Sequence, residues 1–478
     1  MDDAAFLGTH PPFEGMDRTE VERLALGAAR RIEGAGSRIL RVSGPPADAL
    51  FMVREGEVEF RRGDEVFDVL GPGELFGFPS LLSGDHPMFD VLARTDVVLL
   101  RIPSSVAEEL FESPTGLRFL ATGLRARAEL LASGSEDPTG LAAAIARAQS
   151  HQEVAELGAG LPEAIRQVHG TGMGAGALGR IIAVVVDAIT VRTLELSLEE
   201  LGDPGVPWAW LAFGSVAREE PGIAPDQDHT VVWDGPPDLD PSFARIAGRV
   251  VAGLSAAGLP PCPSNVLATV SGWRSPLDRW ITRLLTPDGS PSREAFRTTI
   301  ALDLRKVAGP LDVAASAERL REGVARNRKL HWHVSRLAVE QRPPVGPLGG
   351  LVTHRLEDGR RGVDVKRGGL LPVTDLARLL ELRGGSGAVE TGARLRGAVT
   401  SGQLLEEEAQ TLEAAFETFQ EVRLNHQLQR LSEGRPLESI VEPSRLEPIT
   451  RSRLRQAFRI VAHIQEGFRA ELGGGRLA

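Results

Sequence analysis

The stretch from Trp208 to Trp233 reads WAWLAFGSVAREEPGIAPDQDHTVVW. Its first six residues form a compact apolar run closed by glycine, which predicts a buried strand. Gly214 and Ser215 then turn the chain. Glycine lets backbone approach a ligand closely, and Ser215 adds a hydroxyl. Arg218 adds a planar cation suited to phosphate. Asp226 and Asp228 follow, leading into HTVVW, a β-branched run that predicts a second strand. Residues two apart on a strand share a face, so the two carboxylates repel each other unless a dication lies between them. Magnesium, a hard ion that prefers oxygen ligands and phosphates, suits such a pair. The plain alternative is a polar surface loop, so the rest of the chain has to weigh in.

A third carboxylate is available in TIALDLRKVAG, where Asp303 is expected inside an apolar strand. Lys366 and Arg367, in VDVKRGGLLP, are expected between a strand and a turn. There they face either the phosphates of a nucleotide or solvent.

Other features narrow the class. The chain has 478 residues, enough for about three domains. Its net charge is -11 with no long basic run, which argues against a protein that coats nucleic acid. A single cysteine, Cys262, precludes an intrachain disulfide, and a cytoplasmic location is expected. Cys262, between prolines, reads as a turn residue. The most apolar run, IIAVVVDAI, is too short to span a bilayer and contains Asp187, so no membrane association is expected.

Residues from about 36 to 103 read as short strands separated by glycine turns, which suggests a jelly roll. Helical sequence follows from Ser104, and again from about 135 to 202. The glycine-rich GTGMGAGALG follows no strand, so it reads as a helix junction and not a phosphate loop. His331 and His333, two apart on an expected helix, point in different directions. His426 reads as a polar member of a helix bundle, and LEEEAQTLEAAFETFQ as a charged helix face.

Two resemblances add to this reading. ALFMVREGEVEF and VFDVLGPGELFGFPSLL resemble the cyclic-nucleotide-binding domain family over roughly the first 130 residues, with Gly56, Gly71, Gly73 and Gly77 where that roll turns. Phe78 stands where the family has the glutamate that holds the ribose. The position of its phosphate-binding arginine falls near Met88. A buried phosphate then lacks its bidentate partner, so a structural or dimerising role is favoured over sensing. A homodimer is allowed for.

The Gly-Ser turn followed by Asp-x-Asp at a strand start is similar to the DNA polymerase β-like nucleotidyltransferase superfamily. The Asp303 segment looks like the Asp-x-Arg strand of glutamine synthetase adenylyltransferases and protein-PII uridylyltransferases. From Asp187 to Gln465 the chain resembles a bacterial family of signalling nucleotidyltransferases. That family has an N-terminal sensor and a C-terminal substrate-binding domain. Ala217, His229 and Leu267 depart from its usual glycine, asparagine and methionine. The resemblance implies that Gly214, Ser215 and Arg218 hold the triphosphate. It implies that Asp226, Asp228 and Asp303 hold metal, with Asp303 also helping the acceptor hydroxyl lose its proton.

The expected architecture is α+β and multidomain. A cyclic-nucleotide-binding-like jelly roll (1–134) is followed by a helical linker and polymerase β-like α/β domain (135–312), then a helical substrate-binding domain (313–478). The expected function is magnesium-dependent nucleotidyl transfer from a nucleoside triphosphate to a protein or small-molecule hydroxyl. The alternatives are a non-catalytic regulator that binds nucleotide or a partner protein, and a cyclic-nucleotide sensor.

Overall fold

The computed structural model describes residues 2–112, 138–169, 174–286, 291–346, 349–356 and 359–473, except residues 11, 14, 15, 43, 63, 64, 84, 85 and 88. It divides into two compact units. One comprises Met1–Gly140 with Gln167–Ala177, the other Leu141–Arg166 with Leu178–Ala478.

Among its described residues the first unit holds eight strands: β1 (Ala29–Glu33), β2 (Arg38–Leu40), β3 (Ala49–Glu55), β4 (Val58–Arg62), β5 (Glu65–Leu70), β6 (Leu75–Phe76), β7 (Asp90–Ala93) and β8 (Val97–Pro103). They form two four-stranded sheets, ordered β1-β8-β3-β6 and β2-β7-β4-β5, with antiparallel pairing throughout. Apolar side chains from both sheets are buried, Phe51, Val53, Phe60, Phe76 and Leu99 among them. Gly56 makes the β3–β4 turn at φ +83°, and a Cβ there would lie 2.3 Å from the Asp96 carbonyl oxygen. No side chain fits that turn. The helix expected from Ser104 runs Ser104–Glu112. Phe78 opens a short helix, Phe78–Ser83, and is buried in the apolar core. Met88 lies outside the described residues.

Ala175–Leu201 forms a long helix, α1, which belongs to the second unit from Leu178 onward and contains the apolar run around Asp187. Among the described residues no helix is long and apolar enough to cross a membrane. The two strands flanking the Gly-Ser turn are β9 (Trp208–Ala212) and β10 (His229–Trp233). Every residue of both is buried, including the polar His229 and Thr230. They pair antiparallel, with His229 opposite Ala212 and Trp233 opposite Trp208. With β11 (Ser275–Pro276) and β12 (Arg305–Ala308) they make a sheet ordered β11-β10-β9-β12.

Asp303 corrects one expectation. It is not in a strand: a helix, α2 (Pro291–Ala301), ends just before it, and Asp303 sits in the turn leading to β12. The helical region that follows packs around α3 (Leu371–Gly384), α4 (Thr391–Thr400), α5 (Glu406–Ser432) and α6 (Pro448–Gly473). Its core includes Leu376, Leu380, Leu412, Phe419 and Phe458. Lys366 and Arg367 follow a short strand, Arg361–Asp364, and open a π-helical turn, Lys366–Leu370, that runs directly into α3. The turn expected after them is therefore a helix start.

Candidate functional site

Sheet register brings the turn and the aspartates together. Phe213 N–H donates to the Asp228 carbonyl, extending the β9–β10 ladder by one step. This places Gly214 beside the Asp228 side chain. Gly214 has φ +60°, and a Cβ there would lie 2.8 Å from Asp228 Oδ2. The positive φ favours glycine, and a side chain there would push the Asp228 carboxylate aside. Ser215 is half-buried in the single helical turn Gly214–Ala217.

Asp226 and Asp228 lie just before β10, and burial alternates along the segment. Pro225, Gln227 and His229 are buried, while Asp226 and Asp228 are partly open. The shared face expected from a period of two is present. Gln227 anchors the segment from behind, its Nε2 donating to Leu259 O at 2.7 Å and to Ser255 Oγ at 3.1 Å. Burial pushes the Asp228 carboxyl up to about 6, and the nearby Asp226 adds to the rise, against Cys262, Lys366 and Arg218. This carboxylate is short of positive charge, so the pair fits a cation.

Lys366 reaches the same place. Its Nζ lies 3.3 Å from Asp226 Oδ2, with both side chains partly exposed. Arg367 turns away: it is largely exposed, 3.8 Å from Asp364. The two adjacent cations thus have different surroundings, and only Lys366 touches an expected site residue.

Cys262 was missed in the sequence. A bridge between Gln227 and Pro261 lays the two segments side by side, and the Cys262 thiol hydrogen-bonds Asp228. Burial, with Asp228 beside it, pushes that thiol up to about 12, so it remains protonated and donates. Only the long-range pairing reveals this role.

Asp303 and Arg218 are elsewhere engaged. Asp303 is fully buried and surrounded by three guanidinium groups. Arg378 Nη2 donates to Oδ2 at 2.6 Å and its Nε to Oδ1 at 3.0 Å. Arg394 Nη1 donates to Oδ1 at 2.7 Å, and Arg218 Nη1 to Oδ2. Burial alone would raise the Asp303 pKa, but Arg378, Arg218 and Arg394 overcome it and hold the carboxyl far below the usual range. Such a group is a poor proton acceptor. Arg218 also donates through Nε to Glu220 at 2.9 Å, so its guanidinium is sealed among carboxylates. Among the described residues, no three His, Cys, Asp or Glu side chains are disposed to hold a metal ion. Two expectations are therefore revised in this conformation: Asp303 does not join Asp226 and Asp228, and Arg218 is not open to a phosphate.

The comparisons agree with this layout. Residues 35–113 match the family described as "Cyclic nucleotide-binding domain". Residues 159–291 match "Putative nucleotidyltransferase DUF294", and residues 328–472 match "Putative nucleotidyltransferase substrate binding domain". The turn and the Asp226–Asp228 pair lie in the second match, and Lys366, Arg378 and Arg394 in the third. Asp303 falls between the two. No curated protein matches.

Among solved structures, a cyclic nucleotide-binding-like protein from Brucella abortus is 27% identical, covering 24% of this chain and 100% of its own, with a TM-score of 0.21. A "Putative Cyclic nucleotide-binding protein" from Geobacter metallireducens is 23% identical, covering 27% and 98%, with a TM-score of 0.24. The N-terminal domain of a transcriptional regulator from Streptomyces coelicolor is 25% identical, covering 27% and 96%, with a TM-score of 0.23. The chain thus carries, in this order, a cyclic nucleotide-binding domain, a "Putative nucleotidyltransferase DUF294" domain and a "Putative nucleotidyltransferase substrate binding domain".

Proposed function

We propose that this protein binds a nucleoside triphosphate with magnesium and transfers its nucleotidyl group to a hydroxyl on a protein or small molecule, in a regulatory role. The observation that carries this reading is the partly open carboxylate pair, Asp226 and Asp228, set against the side-chain-free face of Gly214. These two residues would hold the metal. Bound there, magnesium would neutralise phosphate charge and polarise the phosphorus centre. Gly214 gives the ligand room and Ser215 offers a hydroxyl. Lys366, close enough to Asp226 to respond to its occupancy, supplies a point charge for the phosphates. Positioning and charge neutralisation are the main needs of phosphoryl-type transfer.

A second reading is favoured by one specific observation. Asp303, expected to complete the metal set, is enclosed by arginines, which suits a protein that binds nucleotide without transferring it. Incubation with each α-labelled ribonucleoside triphosphate, magnesium or manganese, and lysate from the source cells separates the two. Transfer of label supports the enzyme; tight triphosphate binding with no label under any condition supports the regulator. For the N-terminal roll we propose a structural or dimerising role, because Phe78 is an apolar core residue where a ribose-binding glutamate would stand. Calorimetry should detect no cyclic AMP or cyclic GMP binding at micromolar ligand; a micromolar dissociation constant would restore the sensor reading.

A further inference from the structure

Behind the Gly-Ser turn, the chain from Arg218 to Ile223 is tied to the helical domain at several points. Arg218 is tied to Asp303, which Arg378 and Arg394 grip from α3 and α4. Glu220 accepts from Thr391 N–H at 2.6 Å and from Thr391 Oγ1 at 2.9 Å, at the start of α4. From α5, Arg423 Nη2 donates to the Glu220 carbonyl at 3.2 Å, and Gln427 Oε1 accepts from Ile223 N–H at 3.3 Å. Between these two anchored side chains, Glu219 has φ +61°. A bulky non-glycine residue rarely adopts that conformation, and it persists only where its surroundings impose it. The strained residue is joined directly to the turn: Glu220 N–H donates to the Ser215 carbonyl at 2.8 Å, and Arg218 N–H to the Gly214 carbonyl at 3.0 Å.

We infer that Thr391, Arg378 and Arg394 are positioning residues for the nucleotide turn: the helical domain clamps the strained Arg218–Glu220 segment and so fixes Gly214 and Ser215 beside Asp228. The shape of the turn is then set across a domain boundary. Whatever the helical domain binds has a direct physical route to the nucleotide site, through Thr391 and the arginines around Asp303. Arg423 strengthens the argument. It is buried, among the described residues no carboxylate is hydrogen-bonded to it, and burial lowers its pKa to about 10 against the attraction of Glu220. A guanidinium is retained there at a cost, and its contact is with the clamped segment.

Thr391→Val gives the mildest test, because it removes one hydroxyl and keeps the side-chain shape. The full chain without ligand is followed by amide hydrogen exchange, with thermal unfolding measured in parallel. Exchange in peptides covering Gly214–Gly222 should accelerate selectively in Thr391→Val and return to the wild-type rate in Thr391→Ser. Adding Glu219→Gly to Thr391→Val should slow it again, since glycine takes the positive φ without strain. A second readout rests on the nucleotide reading above: affinity for a non-hydrolysable magnesium-triphosphate should fall about tenfold in Thr391→Val at a temperature where the protein is fully folded. Unchanged exchange at Gly214–Gly222, or acceleration spread evenly over the domain, would overturn the clamp. If wild type binds no triphosphate, the function proposal fails while the exchange result still decides this one.

Discussion

Replacing Asp303 by asparagine distinguishes a catalytic carboxylate from a structural one. Asparagine preserves the shape but removes the charge that three buried guanidinium groups share. The Asp303 side chain is 1% exposed, and those of Arg218, Arg378 and Arg394 are 7%, 6% and 0% exposed, so water cannot compensate. Glu220 and Asp375 remain as hydrogen-bonded carboxylate partners for Arg218 and Arg378, but Arg394 keeps hydrogen bonds to the carbonyls of Leu302 and Ala388 and only the electrostatic attraction of Glu381. Removing one partner from a buried ion pair typically costs about 3–5 kcal/mol. At about 2–4 °C per kcal/mol, the melting temperature should fall by roughly 6–20 °C. Calorimetric or circular-dichroism melts at neutral pH measure this. The pH dependence adds a check. Asp303 is held far below the usual carboxylate range, so its stabilisation is full above the unfolded pKa. It weakens only as pH falls below about 4, towards the folded value. The gap between wild type and variant should stay constant from pH 8 to about 5. A variant that melts like wild type yet loses label transfer would refute the structural role and return Asp303 to the chemistry.

Two further outcomes follow from individual contacts. Lys366→Met should tighten binding of magnesium alone, by about tenfold or less because the Lys366–Asp226 pair is partly exposed, and should weaken binding of magnesium-triphosphate; titrations with and without nucleotide that shift in the same direction would contradict this. His229 is buried, with Nε2 donating to Gln227 and Nδ1 accepting from Ala268 N–H, and burial lowers its pKa to about 3. The unfolded chain takes up that proton first, so His229 should cost stability below pH 6.5, by about 1.4 kcal/mol per pH unit down to about pH 3. His229→Gln should flatten that slope in acid-range denaturation curves, and an unchanged slope would show that the imidazole is not the cause.

Much of the site was legible because the signals are local. Trp208–Phe213 and His229–Trp233 are short, apolar and bounded by turn residues, and the period of two put Asp226 and Asp228 on one face. Gly214 was legible as a close-approach position, though the partner it admits, Asp228, is set by register. Asp303 was misplaced because a short apolar run does not separate strand from helix by pattern; here the helix ends at Ala301 and a turn intervenes. The arginines around Asp303 could not be paired with it from sequence. Arg378 and Arg394 lie 75 and 91 residues downstream on helices, where a buried arginine reads like a solvated one. Cys262 was hidden for the same reason. Its neighbour Pro261 meets Gln227 only through a long-range bridge.

The central claim is that Asp226 and Asp228 hold the metal that a triphosphate brings. Because burial already disfavours the charge on Asp228, neutral replacements should leave the fold intact. Calorimetric titration of a non-hydrolysable triphosphate, with and without magnesium, is the direct measurement on the Asp226→Asn, Asp228→Asn double variant. The account predicts wild-type melting and complete loss of magnesium-dependent binding. Undiminished magnesium-dependent binding in the folded double variant would place the nucleotide site elsewhere.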